Sequence, residues 1–293
     1  MLLRFYQRLL DQCVPYVIAR DAVIPTLDMA PLGIGVDDAH VFDPMKASSG
    51  AFIDLVKRLD DITYGPLALS MPSWVLYDCA VMPGVVFGFG RPTHTVEPWV
   101  KTVLQISDDY EGLIPMSILI AIPRVDRRSV LVYTLCSINQ VAAGAAPEGL
   151  WRLTLAAGTR SVGCQEMMAT CQWRGPQLGL FAGMGPLELV TAWTPAHDNP
   201  TTCTFRVRTD SSAQARLLRG DVTGPEGIHR YLDADDINAM QGLQAEIERG
   251  LNIAVVGPAE TRGAETRVPL QVRDDDALYS TDEGVGFTRR FSG

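Results

Sequence analysis

The stretch from Ser129 to Gly163 constrains the fold of this 293-residue chain more than any other. Residues Ser129 to Ile138 (SVLVYTLCSI) are β-branched, aromatic and apolar, which suits a strand with much of both faces buried. Asn139 breaks that run. Gln140 to Gly149 (QVAAGAAPEG) follows, in which Gly144 and the alanines leave the backbone open to close approach. Pro147 and Glu148 suit a first helical turn. Leu150, Leu153, Ala157 and Val162 then mark one buried helix face, with Arg152 and Arg160 outside it. A strand that passes through a small-residue loop into a helix presents free backbone N–H groups, so the junction is a candidate anion site. Gly144 as a plain turn or packing residue accounts for the same letters.

Charge and cysteine usage narrow the partners. A formal charge of −9 argues against nucleic acid, whose binding needs clustered cations, and Arg127-Arg128 and Arg289-Arg290 are isolated basic pairs. No stretch of about 20 apolar residues exists to span a bilayer. Leu2, Phe5, Tyr6, Leu9, Leu10 and Cys13 recur at helical spacing, a pattern for a helix docked on its own domain, with a membrane surface or a partner as the alternative. The six cysteines are far apart, make no CxxC metal spacing and are too few for a disulfide scaffold, which points to the cytoplasm. With 47% hydrophobic residues the chain can bury a large core, as one big domain or two modest ones.

Around the opening junction the pattern predicts a mixed α/β fold: a bent, mostly antiparallel central sheet with flanking helices. Residues 1–71 form a helical and irregular lead-in, with a helix through Phe52, Ile53, Leu55, Val56 and Leu59. Residues 72–208 form the core. There Trp74 to Val81 and Val85 to Phe89 flank Met82-Pro83-Gly84 as an expected hairpin, and Met116 to Pro123 pairs with Ser129 to Ile138. A strand (Glu166 to Trp173), a short helix (Pro176 to Met184) and strands at Leu187 to Thr194 and Thr202 to Arg208 complete it. Residues 209–293 form an appendage with a helix from Asp235 to Arg249, a short apolar piece (Ile253 to Val256) and a Gly- and charge-rich tail. Asp233, Asp235 and Asp236 lack the glycine and glutamate of a calcium loop and serve as helix N-terminal charge.

Candidate chemistry is sparse. Asp78 interrupts an apolar run, as an edge residue or as a carboxylate placed as general base for an amine, with Tyr77 of the same run or Tyr133 to assist it. His197 sits beside Asp198 in the turn TPAHDNP, where it could serve acid–base or metal chemistry or simply follow a capped turn. His40, beside Asp37 and Asp38, reads as a solvated loop residue. No Gly-x-Ser-x-Gly elbow is present for a serine hydrolase. Cys136, Cys164 and Cys171 lie in apolar surroundings that raise thiol pKa and keep them inert, although cysteine catalysis remains an alternative.

The order meander, strand, small-residue loop, helix, strand, short helix and two closing strands resembles that of the GCN5-related N-acetyltransferases over about residues 72–208. That family's pyrophosphate loop reads Gln/Arg-x-x-Gly-x-Gly/Ala. Val141-Ala-Ala-Gly144-Ala-Ala146 keeps Gly144 and Ala146 and loses the polar first residue. In RGPQLGLFAGMGP, Gly185 matches a closing glycine, Phe181 stands where the family's proton-donating tyrosine would be, and Pro186 replaces a phenylalanine. The resemblance implies acyl-CoA, acetyl-CoA or longer, as co-substrate and a small-molecule or protein amine as acceptor, with a homo-oligomer possible. It implies contacts to the acyl-CoA from Ile138, Val141, Ala142, Ala143, Gly144, Ala145 and Ala146, with Asp78, Tyr133 and His197 as catalytic candidates. Phe181 has no proton to give, and a non-catalytic ligand- or partner-binding domain is the alternative.

Overall fold

A computed structural model describes residues 2–20, 40–67, 69–81, 85–125, 128–195, 200–220, 227–263 and 265–273. Helix α1 (Leu2–Leu10) leads into strand β1 (Val14–Ile18), followed by β2 (His40–Phe42), α2 (Gly50–Tyr64), α3 (Trp74–Val81) and β3 (Val85–Pro92). Next come α4 (Pro98–Val103), β4 (Leu113–Pro115), β5 (Ser117–Pro123), β6 (Ser129–Ser137), α5 (Leu150–Ser161), β7 (Glu166–Gln172) and α6 (Pro176–Ala182). The described residues end with β8 (Leu187–Thr191), β9 (Thr202–Arg208), α7 (Ser211–Arg219), β10 (Arg230–Asp233), α8 (Ile237–Glu248), β11 (Asn252–Val255), β12 (Glu260–Arg262) and β13 (Glu265–Arg273).

All strands join one 13-stranded sheet in the order β10-β13-β11-β8-β9-β7-β6-β5-β3-β1-β2, with β12 beside β13 and β4 beside β3. Pairing is antiparallel except for β1 with β2 and β6 with β7. The mixed, mostly antiparallel sheet expected from sequence is therefore present. It runs through all three expected segments, because β1 comes from the lead-in and β10–β13 extend the edge beyond β8.

Helices cover both faces of the central strands. On β5, Leu119 packs against α5 at Gly158, and the neighbouring Ser117 Oγ lies 2.6 Å from Thr154 Oγ1 of the same helix. Ile118 and its partner Cys136 point the other way, toward Thr63 of α2. Helix α1 docks on its own domain: Tyr6 and Leu9 are buried, and Tyr6 Oη donates to the Leu218 carbonyl at the end of α7.

One expected strand is a helix. Val75, Leu76, Cys79 and Ala80 of α3 are buried while Trp74 and Tyr77 stay exposed, a period near 3.6 rather than 2. The β-branched and aromatic composition of Trp74–Val81 suggested a strand, but packing one stripe of it against the core decides for a helix. The expected hairpin with Val85–Phe89 is thus replaced, and β3 pairs with β1 and β5 instead; the turn residues 82–84 lie outside the described residues.

Candidate functional site

The parallel strands β6 and β7 pair only from Ser129 with Glu166 to Val132 with Ala169. Where that pairing stops, the register of β6 against β5 also shifts, because Ile120 faces Thr134 while Ala121 faces Val132. Tyr133 is therefore one extra residue in β6. Such a bulge bends its strand and increases its local twist, which here turns the second half of β6 away from β7. The two strands part, and a cleft of about 390 Å³ opens between Leu131–Leu135 and Ala169–Gln172.

Tyr64 of α2, Leu69, Gln177 and Phe181 of α6, and Thr202 of β9 complete the cleft wall. None of the lining side chains is an acid or a base of the Asp, Glu, Lys, Arg or His type. Tyr64 Oη donates to the Leu135 carbonyl, a backbone acceptor just past the bulge. Burial pushes the hydroxyls of Tyr64 and Tyr133 above the ordinary phenol range, so both are neutral at physiological pH, and the proton of Tyr64 is already committed to Leu135. The cleft suits an uncharged, amide-bearing or apolar chain.

At its far end β6 runs into the small-residue loop, which is held from within. Gln140 Oε1 accepts from Ser137 N at 2.9 Å, while Asn139 grips Ala146 twice, Nδ2 donating to its carbonyl at 2.8 Å and Oδ1 accepting from its N–H at 2.9 Å. Val141 and Ala142 donate to the Ile138 carbonyl and Ala145 donates to Ala142. Of the N–H groups from Val141 to Ala146, four are engaged in this way, which narrows the expected anion contact to Ala143 and Gly144, both exposed. Gly144 has φ +83°, and a Cβ there would meet nothing within 4 Å, so the loop needs glycine for its backbone conformation rather than for space. Ile138, Ala142, Ala145 and Ala146 are buried, and Val141 is exposed.

Of the catalytic candidates, Tyr133 lines the cleft at the bulge, with 45% of its surface exposed. Asp78 is an exposed residue of helix α3, not a carboxylate in a strand, and takes no part in lining the cleft. His197 lies outside the described residues. Tyr77 is exposed on α3 and His40 on β2. Phe181 is 3% exposed, packs on Phe205 with ring centroids 5.3 Å apart, and gives the cleft an apolar wall.

A scan against protein-family models finds no match, and a search of curated proteins finds none either.

Sequence reasoning missed Asp60. It lies on α2 one turn after Val56 and next to Leu59, on the buried stripe of that helix, and is 0% exposed. Its Oδ2 accepts from Met71 N at 2.7 Å, while Oδ1 is buried without a partner. Burial pushes its carboxyl up to about 6, against the Met71 N–H and Lys57, which favour the charged form. Its charge reaches Tyr64, one turn further along α2, and Tyr133 and Cys136 on β6, adding to the upward push of burial on each. The spacing from Val56 was the available signal, since a residue four after a buried helical position shares its face.

The cysteines are all free and buried. Burial raises Cys13 and Cys171 to about 12 and Cys79 and Cys164 to about 11, with Cys136 and Cys203 pushed up as well. A thiolate is the reactive form, so an aromatic disulfide reagent at pH 7.5 is expected to leave all six unmodified in the native protein and to label all six in denaturant. Fast labelling of Cys171, which borders the cleft, would contradict this burial.

Proposed function

We propose that this chain binds acyl-CoA in the cleft between β6 and β7 and transfers the acyl group to an amine. The observation that carries this reading is the parting of a parallel strand pair at the Tyr133 bulge, with a small-residue loop at the end of β6 and helix α5 beyond it. Parted strands leave backbone groups without a strand partner, and an extended amide-bearing chain can pair with these as an added strand would. The pantetheine arm of an acyl-CoA is such a chain, uncharged along its length, and the cleft wall is uncharged too. The N–H groups of Ala143 and Gly144 would meet its pyrophosphate. The run β5, β6, α5, β7, α6, β8, β9 also follows the element order implied by the resemblance to the GCN5-related N-acetyltransferases, which supports the same reading.

The alternative is a domain that binds a ligand in this cleft without transferring it. Phe181 favours it, since the cleft has a buried phenyl ring where the resemblance places a proton donor. Titration calorimetry with acetyl-CoA and longer acyl-CoAs, followed by an amine panel, separates the two. Binding with transfer supports the transferase, binding without transfer to any amine supports the alternative, and no binding removes acyl-CoA from both. Thr170, exposed on β7 and lining the cleft, provides the localising variant. Thr170→Trp fills the opening without entering the core and is expected to weaken acetyl-CoA by tenfold or more, about 1.4 kcal/mol. Unchanged affinity in a folded Thr170→Trp protein would place the ligand elsewhere.

A further inference from the structure

We infer that Tyr64 gates the cleft: its hydroxyl holds the Leu135 carbonyl of β6, and the path from the small-residue loop to the Tyr133 bulge opens only when a ligand amide N–H takes that hydroxyl's place. This rests on the acyl-CoA reading above and adds the residue that controls entry to the same site. The geometry follows from the ladder of β6. Ile138 N donates to the Met116 carbonyl at 2.9 Å, and the register continues through Ile118 with Cys136 and Ile120 with Thr134. Bonded residues alternate along an antiparallel pair, so Thr134, Cys136 and Ile138 turn their N–H and C=O groups to β5, while Leu135 and Ser137 turn theirs to the side that β7 has left. There the Leu135 carbonyl accepts from Tyr64 Oη, and the Ser137 N–H donates to Gln140 Oε1 at 2.9 Å. A ligand with its anionic end at Ala143 and Gly144 and its chain at the bulge has to run past Ser137 and Leu135, which join the loop to the bulge. In the free protein that path is closed by two side chains.

The two closures differ in kind. Gln140 belongs to the turn Ile138–Gln140 that starts the loop, so its bond to Ser137 shapes the loop itself. Tyr64 comes from another element. It is the last residue of α2, is followed by Gly65-Pro66, and lends its ring to the cleft wall, so its hydroxyl can leave Leu135 without any change in the strand. What replaces it has to be a donor as well, because a backbone carbonyl covered by a ligand and left without a donor costs free energy. An amide N–H meets that demand, as an added strand would. An alkyl, ester or ether chain does not. The gate therefore selects by chemistry, admitting a chain that carries a secondary amide at this point and turning away a plain apolar one of the same width.

Tyr64→Phe tests this, since it keeps the ring in the wall and removes only the hydroxyl. Stopped-flow binding and calorimetry compare it with wild type, using acetyl-CoA and, as a ligand with a pyrophosphate but no amide-bearing arm, ADP. A closed form held by one ordinary hydrogen bond reduces the open fraction by about fivefold. Tyr64→Phe is therefore expected to raise both the association rate and the affinity for acetyl-CoA by about fivefold, with the dissociation rate and ADP affinity unchanged. Acetyl-CoA bound by Tyr64→Phe and not by wild type supports the gate too. Wild type that binds acetyl-CoA, with a folded Tyr64→Phe that binds it no tighter, releases it faster or gains as much for ADP, overturns the gate alone. Acetyl-CoA bound by neither protein overturns the gate together with the acyl-CoA reading.

Discussion

Gly88→Ala is expected to lower the thermal midpoint by roughly 10 °C, the largest stability effect of any single methyl added to this sheet. Gly88 sits in β3 between β1 and β5, where a Cβ would lie 2.1 Å from the Ser117 carbonyl oxygen and 2.5 Å from both Cζ and Oη of Tyr16. The first of these atoms is backbone and cannot rotate away. The second belongs to a ring that is 0% exposed, packs edge-on against Phe52 at 4.9 Å and donates from Oη to that same Ser117 carbonyl at 2.7 Å. Overpacking of this kind costs about 1–3 kcal/mol when side chains can yield, and losing the buried tyrosine hydrogen bond adds about 1 kcal/mol. A total of about 2–4 kcal/mol, toward its upper end because the carbonyl cannot yield, corresponds to the expected midpoint shift. Gly242→Ala in α8 is the control, because a Cβ there meets nothing within 4 Å, and relief of helix-interior glycine entropy should stabilise by about 0.5–1 kcal/mol. A Gly88→Ala protein melting at the wild-type temperature would mean that the Tyr16–Ser117 contact is not packed as described.

The second large effect is a pH-dependent gain from Asp60→Asn. The folded state raises the Asp60 carboxyl from 3.8 to about 6, so folded protein holds that proton more tightly than unfolded chain does. The group's contribution to stability is then fully present below pH 3.8 and is lost as pH rises through about 6. The full loss is about 3 kcal/mol, of which about 2 falls between pH 4.5 and 7.5. Asparagine has the same shape, can still accept from Met71 N–H and does not titrate. Urea midpoints at several pH values should therefore show Asp60→Asn gaining on wild type by about 2 kcal/mol across that range. A constant difference between the two proteins would mean that Asp60 titrates as it does in the unfolded chain.

Much of the architecture was legible in the sequence, and its gaps have physical causes. Strands β5, β6, β7 and β9 and helices α2, α5, α6 and α8 follow from periodicity and turn residues. Helix α3 was misread because its composition suits a strand while its buried positions repeat at helical spacing. Strand β13 was hidden by charged residues at both ends and by Pro269 in its interior. That proline is tolerated because pairing with β11 begins only at Leu270, so the missing N–H costs no ladder bond on that side. In the candidate site, the small-residue loop and Tyr133 were visible, but the cleft was not. An extra residue in SVLVYTLCS leaves no mark in composition, since a bulge is defined by the register of the partner strand. Asp60 was passed over because an acidic residue in a helix is usually taken to face water.

The sheet's wiring has a consequence for how the chain reaches this state. Neighbours such as β5 with β6 and β12 with β13 meet across short connections, whereas β1 must find β3 and β8 must find β11 across long stretches of intervening chain. Closing long loops costs entropy before any contact repays it, so the hairpins form first and wait for their distant partners. While they wait, their unpaired edges are open to other copies, and self-association competes with folding most strongly at the two junctions where the chain has furthest to travel.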